Sequence, residues 1–170
     1  MYINDIKNEI RNCKFVLFID DLKIYLEYSD SSELELMQQD LKRIEDWGKN
    51  NNLKFNVKKC CTINYTKAIN PVINNFILYS EVLANSRSIK DLGILFHHNM
   101  NFEKHIEGII LKCTKKVNYL KFKYKQKKNL PILTNLYNSL VKSSLMYGSI
   151  IWSPNNKSTI YNLEKVQIST

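Results

Sequence analysis

Apolar and polar positions recur along this chain at spacings that predict most of its elements. Ile3, Ile6 and Ile10 stand at helical intervals, so residues 1–12 are expected to form an amphipathic helix. Two short apolar-rich runs come next, 13–19 (CKFVLFI) and 22–28 (LKIYLEY), each rich in β-branched and aromatic residues. They predict paired strands joined by a tight turn. Ser32 and Glu35 have the spacing of a capping box, and Leu34, Met37, Leu41, Ile44 and Trp47 then mark one stripe of a helix ending near 49–52. That stripe is expected to face a core. A helix returning across a hairpin is an α+β plan.

Beyond it, 53–65 reads as an extended stretch, a basic turn and a strand with Cys60 or Cys61 pointing inward. Residues 76–83 suit two short strands about a turn. Residues 89–96 suit a strand interrupted by Gly93, which implies a bulge or a close backbone approach. Phe102, Ile106, Ile109, Cys113, Val117 and Leu120 predict a long amphipathic helix. Leu130-Pro131 opens another, with proline tolerated in the first turn and a broad face of Leu133, Leu136, Tyr137, Leu140, Val141 and Leu145. A loop at 152–156 and a further helix over 160–168 complete the pattern. The first helix lacks a capping residue and the last stops at Thr170, so the sequence is expected to be cut at both ends.

Composition narrows the class. A chain of 170 residues makes one domain or two small ones, and 44% hydrophobic with 24% charged residues is ordinary for a soluble globular protein. Cys13, Cys60, Cys61 and Cys113 form no CxxC pair, which argues against a zinc site. With no signal peptide and no apolar run of membrane-spanning length, a reduced intracellular compartment is expected, cytoplasmic or nuclear, with no membrane partner. Oligomeric state is left open.

Charge adds a partner. The chain carries a net charge of +9, and 112–128 (KCTKKVNYLKFKYKQKK) holds eight lysines and no acidic residue. A local positive field of that kind suits nucleic acid, since lysines that neutralise phosphates release counterions. Lys112, Lys115, Lys116, Lys121, Lys123 and Lys125 are the candidate contacts. Tyr119, Phe122 and Tyr124 are interleaved with them and could stack on bases, but large rings are mostly buried, so they are expected to face the core.

Between the first two predicted strands stands Phe18-Ile19-Asp20-Asp21. Paired carboxylates at a hairpin tip suit a hard divalent cation such as Mg²⁺. Aspartate is also simply a favoured turn residue, and that alternative stays open on the pair alone.

The order of these signals resembles the C-terminal part of the reverse transcriptase of non-LTR retrotransposons, the jockey-like type in particular. Phe18-Ile19-Asp20-Asp21 stands where that family has an aromatic-Ala-Asp-Asp box, continued by Leu22-Lys23-Ile24-Tyr25. Trp47, Asn51, Leu53, Asn56, Lys59 and Cys60 match a W…N.L..N..KC stretch, and Lys90-Asp91-Leu92-Gly93-Ile94 resembles the primer grip. Phe102, His105-Ile106, Leu136-Tyr137, Leu140-Val141, Tyr147-Gly148, Ile151-Trp152-Ser153-Pro154 and 163–167 (LEKVQ) resemble the thumb and the region just after it. Ile19 replaces the usual small alanine, and Met146 stands where relatives often carry glutamate.

The resemblance implies an incomplete palm over 1–97, with the catalytic hairpin and a packed helix, then an α-helical thumb over 98–170. It implies an RNA-directed DNA polymerase as parent, using two Mg²⁺ ions on an RNA template, a DNA primer or their hybrid, and dNTP. Asp20 would be a metal ligand with Asp21 supporting it, and both would belong to the catalytic centre. Lys59 would steady pyrophosphate, an ordinary surface lysine being its alternative, and Leu92 and Gly93 would place the primer end. The fingers, the first catalytic aspartate and the glycine-rich template segment have no counterpart here, so the chain alone is expected to be inactive. Two other readings stand beside this one. One is a non-catalytic nucleic-acid-binding remnant using the lysine-rich helix. The other is a chain with no stable fold, its palm sheet left with an exposed edge.

Overall fold

Short hairpins clasped by helices give an α+β fold. The structure, a computed structural model, describes residues 2–68, 74–124 and 130–168. It divides into two compact units, Met1–Asn64 with Ala68–Arg87, and Tyr65–Lys67 with Ser88–Thr170.

In the first unit the expected N-terminal helix is a 3₁₀ helix, Tyr2–Asn8. Its end is set by the backbone just beyond it. The N–H groups of Arg11, Asn12 and Cys13 do not continue a helical ladder; they donate to the carboxylate of Asp40 at 3.2, 2.8 and 2.8 Å. The chain then enters β1 (Lys14–Phe18), which pairs antiparallel with β2 (Asp21–Tyr25). Phe18 lies opposite Asp21, so Ile19 and Asp20 form a two-residue turn. Phe15, Leu22 and Ile24 pack on a core of Ile6, Ile10, Cys13, Ile44 and Trp47.

Helix α1 (Leu34–Asn50) crosses that hairpin and is preceded by a short 3₁₀ turn, Ser31–Glu33. The expected Ser32–Glu35 capping box is not formed. Asp30 instead accepts the Ser32 N–H, and Glu33 accepts the Ser29 N–H at 3.0 Å, because the 3₁₀ turn moves the helix start two residues earlier.

The far side of α1 holds a second hairpin, β4 (Ile77–Leu78) and β5 (Glu81–Val82), over a core of Leu34, Phe76, Leu78 and Leu83. The Gln38 amide pairs with both backbone groups of Ile77 at 2.9 Å each. The Glu45 carboxylate accepts the Tyr79 N–H at 2.7 Å. In the same unit, β3 (Cys61–Thr62) pairs in parallel with β6 (Ala84–Asn85).

In the second unit the single strand expected over 89–96 is a hairpin, β7 (Ser88–Asp91) with β8 (Ile94–His97). Leu92 and Gly93 are its two central residues, both with positive φ of 44° and 87°. Gly93 therefore marks a turn, not a bulge. Two consecutive left-handed residues match the right-handed twist of the flanking strands.

Helix α2 (Glu103–Tyr124) packs Cys113, Val117 and Leu120 against Val141, Leu145 and Val166. The partner helix is α3 (Leu130–Tyr137), widened by one π turn at Asn138–Lys142 before α4 (Ser143–Met146). Then come α5 (Ser149–Trp152) and α6 (Lys157–Ile168). None of the described helices is long and apolar enough to cross a membrane.

Asp40 is fully buried and also meets the Arg43 guanidinium at 2.5 Å. Burial by itself raises its pKa, but the N–H donors of Asn12, Cys13 and Arg11 outweigh it and hold the carboxyl below the usual 3.8. Replacing it leaves three buried or half-buried donors and a cation without their acceptor. Asp40→Ala is expected to cost about 3–5 kcal/mol, the range for breaking a buried ion pair. A carboxyl whose folded pKa is lowered stabilises the fold above its unfolded value and loses that contribution as pH falls through the folded one. Urea denaturation at pH 7 and at pH 3 checks both points: the Asp40 contribution is present at pH 7, shrinks at pH 3, and is missing from the variant at both.

Candidate functional site

Hairpin tips and one helix face carry the candidate residues. Asp20 ends the β1–β2 turn and Asp21 opens β2, and both are exposed. Among the described residues no lysine or arginine is ion-paired to either. The turn has an unusual residue at its head. Ile19 has φ 57° and is 66% exposed, so a β-branched side chain occupies the left-handed region at the first central position. Such backbone costs on the order of 1–3 kcal/mol and persists only where its surroundings impose it. Five residue pairs of the β1–β2 ladder impose it here.

Lys59 closes a 3₁₀ turn, Val57–Lys59, whose first N–H groups are capped by Asn56; its Oδ1 accepts the Lys58 N–H at 3.1 Å. The side chain of Lys59 is exposed. Cys60 and Cys61 are both half-buried, and burial raises both thiol pKa values. Cys13 is more perturbed: burial, then the charge of Asp40 and a hydrogen bond to it, push its thiol up to about 12. It is an inert packing group.

Leu92 and Gly93 sit exposed at the β7–β8 tip, held by residues to which the sequence pattern assigned no role. The Tyr147 hydroxyl donates to the Leu92 carbonyl at 2.7 Å, and a Cβ at Gly93 would lie 3.5 Å from the Tyr147 ring. Gly148, with φ 62°, lets the chain turn there; a Cβ would meet Ile94 Cδ1 at 2.6 Å. Trp152 Nε1–H donates to the Tyr147 carbonyl at 2.9 Å and fixes that turn from the other side.

His105 on α2 holds the base of the hairpin. Its Nδ1 accepts the Leu95 N–H at 3.3 Å, and its ring stands edge-on to Trp152 at 5.7 Å. Burial, and then the nearby charge of Lys90, lower its pKa. Tyr147, Gly148 and Trp152 were visible as a motif, yet nothing in spacing alone linked them to residues 55 positions earlier.

The lysines of α2 separate into groups. Lys112, Lys115, Lys121 and Lys123 are exposed. Lys116 is half-buried and turned inward: its ammonium donates to the Leu140 carbonyl at 2.6 Å and to Ser144 Oγ at 2.7 Å. Leu140 lies in the π turn of the neighbouring helix, and Ser144 Oγ donates to the same carbonyl at 3.0 Å. Lys125 lies outside the described residues.

The aromatic expectation is overturned in part. Tyr119 is 58% and Phe122 77% exposed, while Tyr124 packs against the core. The core side of α2 is already filled by Cys113, Val117 and Leu120, and residues 119 and 122 fall on the opposite face.

Among the described residues no three His, Cys, Asp or Glu side chains stand together to hold a metal ion. Asp20 and Asp21 fit such an ion as two hard oxygen donors, short of the set that would bind it tightly.

Comparison with known proteins adds to this geometry. Residues 1–128 match the family described as "Reverse transcriptase (RNA-dependent DNA polymerase)". The chain is 23% identical over 138 residues to the RNA-directed DNA polymerase from mobile element jockey of Drosophila melanogaster, covering 79% of this chain and 15% of that protein. It is 34% identical over 80 residues to an uncharacterized protein of Caenorhabditis elegans, covering 45% of this chain and 38% of that one. No solved structure matches.

The latch on the β7–β8 hairpin is testable. Tyr147→Phe removes one hydrogen bond, worth about 0.5–1.5 kcal/mol, and keeps the ring against Gly93. Amide exchange at Gly93 and Ile94 is expected to quicken about threefold to tenfold, with the global melt little changed. Gly148→Ala, which adds a clash to a left-handed backbone, is expected to lower the melting temperature of the whole unit.

Proposed function

The chain belongs to the reverse transcriptase (RNA-dependent DNA polymerase) family, and on that premise we propose that it carries part of a retrotransposon polymerase: palm elements over 1–97 and a helical thumb over 98–170. It spans only 15% of the jockey polymerase and 38% of the nematode protein. The observation that carries the reading is the Asp20–Asp21 pair at the tip of a hairpin whose base is fixed to α1. Both carboxylates are exposed, and among the described residues no cation is paired to either.

Asp20 would be a ligand of the Mg²⁺ used in nucleotidyl transfer, with Asp21 beside it. When bound, the cation lowers the pKa of the attacking primer hydroxyl and neutralises charge on the leaving pyrophosphate. Lys59, exposed on its capped turn, would steady that pyrophosphate. Leu92 and Gly93 present backbone groups from a latched tip, which suits the holding of a primer end in one position. Lys112, Lys115 and Lys123 offer a cationic track for the phosphates of template and primer, and Lys121 is exposed on another side of α2.

A second reading, a nucleic-acid-binding chain without catalysis, is favoured by those exposed lysines alone. The two readings part at the carboxylates. A two-cation centre takes carboxylates from separate strands, and here both come from one hairpin. A polypeptide of residues 1–170 is therefore expected to extend no primer on a primed RNA template, with Mg²⁺ or Mn²⁺; incorporation abolished by Asp20→Ala would overturn this. Paramagnetic broadening by Mn²⁺ gives a readout free of activity: amide signals around Asp20 and Asp21 are expected to broaden, and far less in Asp20→Ala.

A further inference from the structure

Lone hydrophobic residues are common on protein surfaces; a row of them set among like charges is not. On α2, Leu111, Lys115, Tyr119 and Phe122 succeed one another at four, four and three residues, so they share a face. Lys112 and Lys123 flank it, and Gly108 continues it with open space where a Cβ would be. Leu111 and Tyr119 are each 58% exposed and Phe122 77%. Lys123 Nζ lies 6.0 Å from the centre of the Tyr119 ring, within reach of a cation–π contact. Lys116 and Lys121 point elsewhere, the first inward. The face thus combines two exposed aromatic rings with three cations, and no acidic residue occurs between Leu111 and Tyr124.

We infer that this face of α2 is a stacking platform for unpaired nucleotides, with Tyr119 and Phe122 taking adjacent bases and Lys112, Lys115 and Lys123 taking the phosphates between them. The inference rests on the nucleic-acid-binding reading above and narrows it to a single strand. A duplex keeps its base faces inside its own stack, so exposed rings gain nothing from it; an unpaired strand offers a π-face at every position. Residues three apart on a helix are surface neighbours, about 5–6 Å apart at Cβ, so both rings can take successive bases of one flexible strand. The cations fix the backbone without reading sequence, so the platform accepts RNA or DNA of any composition.

Fluorescence anisotropy with a 12-nucleotide oligo(U), a 12-nucleotide oligo(dT) and a 12-base-pair duplex tests this on the 170-residue chain. A 2-aminopurine within the single strand reports stacking directly. The variants are Tyr119→Leu with Phe122→Leu, which keep apolar bulk on the surface but remove both π-faces, and Lys112→Glu with Lys115→Glu and Lys123→Glu. Ring removal is expected to weaken single-strand binding at least tenfold, abolish the 2-aminopurine quench, and leave duplex binding within about twofold. Charge reversal should abolish binding of all three probes.

Single-strand binding that survives ring removal but not charge reversal overturns the platform and leaves the cationic reading standing. An equal loss on duplex and single strand overturns it as well. Absence of binding to every probe by the wild-type chain removes both. Should sedimentation show a dimer that ring removal dissociates, with oligonucleotide affinity unchanged, the face belongs to a second copy and the inference fails.

Discussion

One buried carboxylate decides where the first hairpin starts. Asp40 collects three successive backbone N–H groups just before β1 and a guanidinium from its own helix, and no part of its side chain reaches solvent. An isolated buried charge would be prohibitive; one that accepts this many hydrogen bonds is tolerable and directional. The consequence is geometric. With residues 11–13 tied to α1, β1 has only one place to begin, and its register with β2 then carries the constraint along five residue pairs to Asp20 and Asp21. A two-stranded hairpin is marginal in water by itself. This one is stable because an apolar face packs on Ile44 and Trp47 while its base is held by an ion.

The described residues include three two-residue turns, each meeting the need for positive φ differently. Leu92-Gly93 places a glycine at one of two left-handed positions, and Tyr147 secures the other by holding the Leu92 carbonyl. Tyr79-Ser80 has no glycine and is held by Glu45 through the Tyr79 N–H. Ile19-Asp20 has a β-branched residue at positive φ and, among the described residues, no comparable clasp from outside the hairpin. The strain is thus compensated at two tips and left in the ladder at the third, the one that carries the carboxylates. The residue at the head of that tip is β-branched, and the strands on either side bear the strain.

Periodicity made the larger elements legible. The stripe of α1, the core face of α2 and the two strands around Asp20 all follow from spacing, because burial on one face is what those spacings encode. What it could not show were contacts between elements. Asp40 lies three residues after Met37 and four before Ile44, on the apolar stripe itself, and a charge in that position was the one signal that a buried ion was needed. Gly93 was recognised as a breaker, but a bulge and a turn use the same residue, and only the pairing of Asp91 with Ile94 separates them. The Ser32–Glu35 box had correct spacing and lost to Asp30 and Glu33, because a 3₁₀ turn starts the helix earlier than the apolar stripe does.

Helix α2 inverts the usual assignment of lysines and rings. A lysine is ordinarily outside and a large ring inside, yet Lys116 turns in to the Leu140 carbonyl while Tyr119 and Phe122 face solvent. Both have one cause. The inner face is a seam of Cys113, Val117 and Leu120 against Val141, Leu145 and Val166, and positions 119 and 122 lie on the opposite side of the helix. The π turn in the opposing helix presents the Leu140 carbonyl at the margin of that seam, within reach of a long side chain ending in an ammonium. Helical phase therefore selects which cation meets the opposing helix and which rings stay open. The chemistry available on the outer face is a consequence of how the inner face is closed.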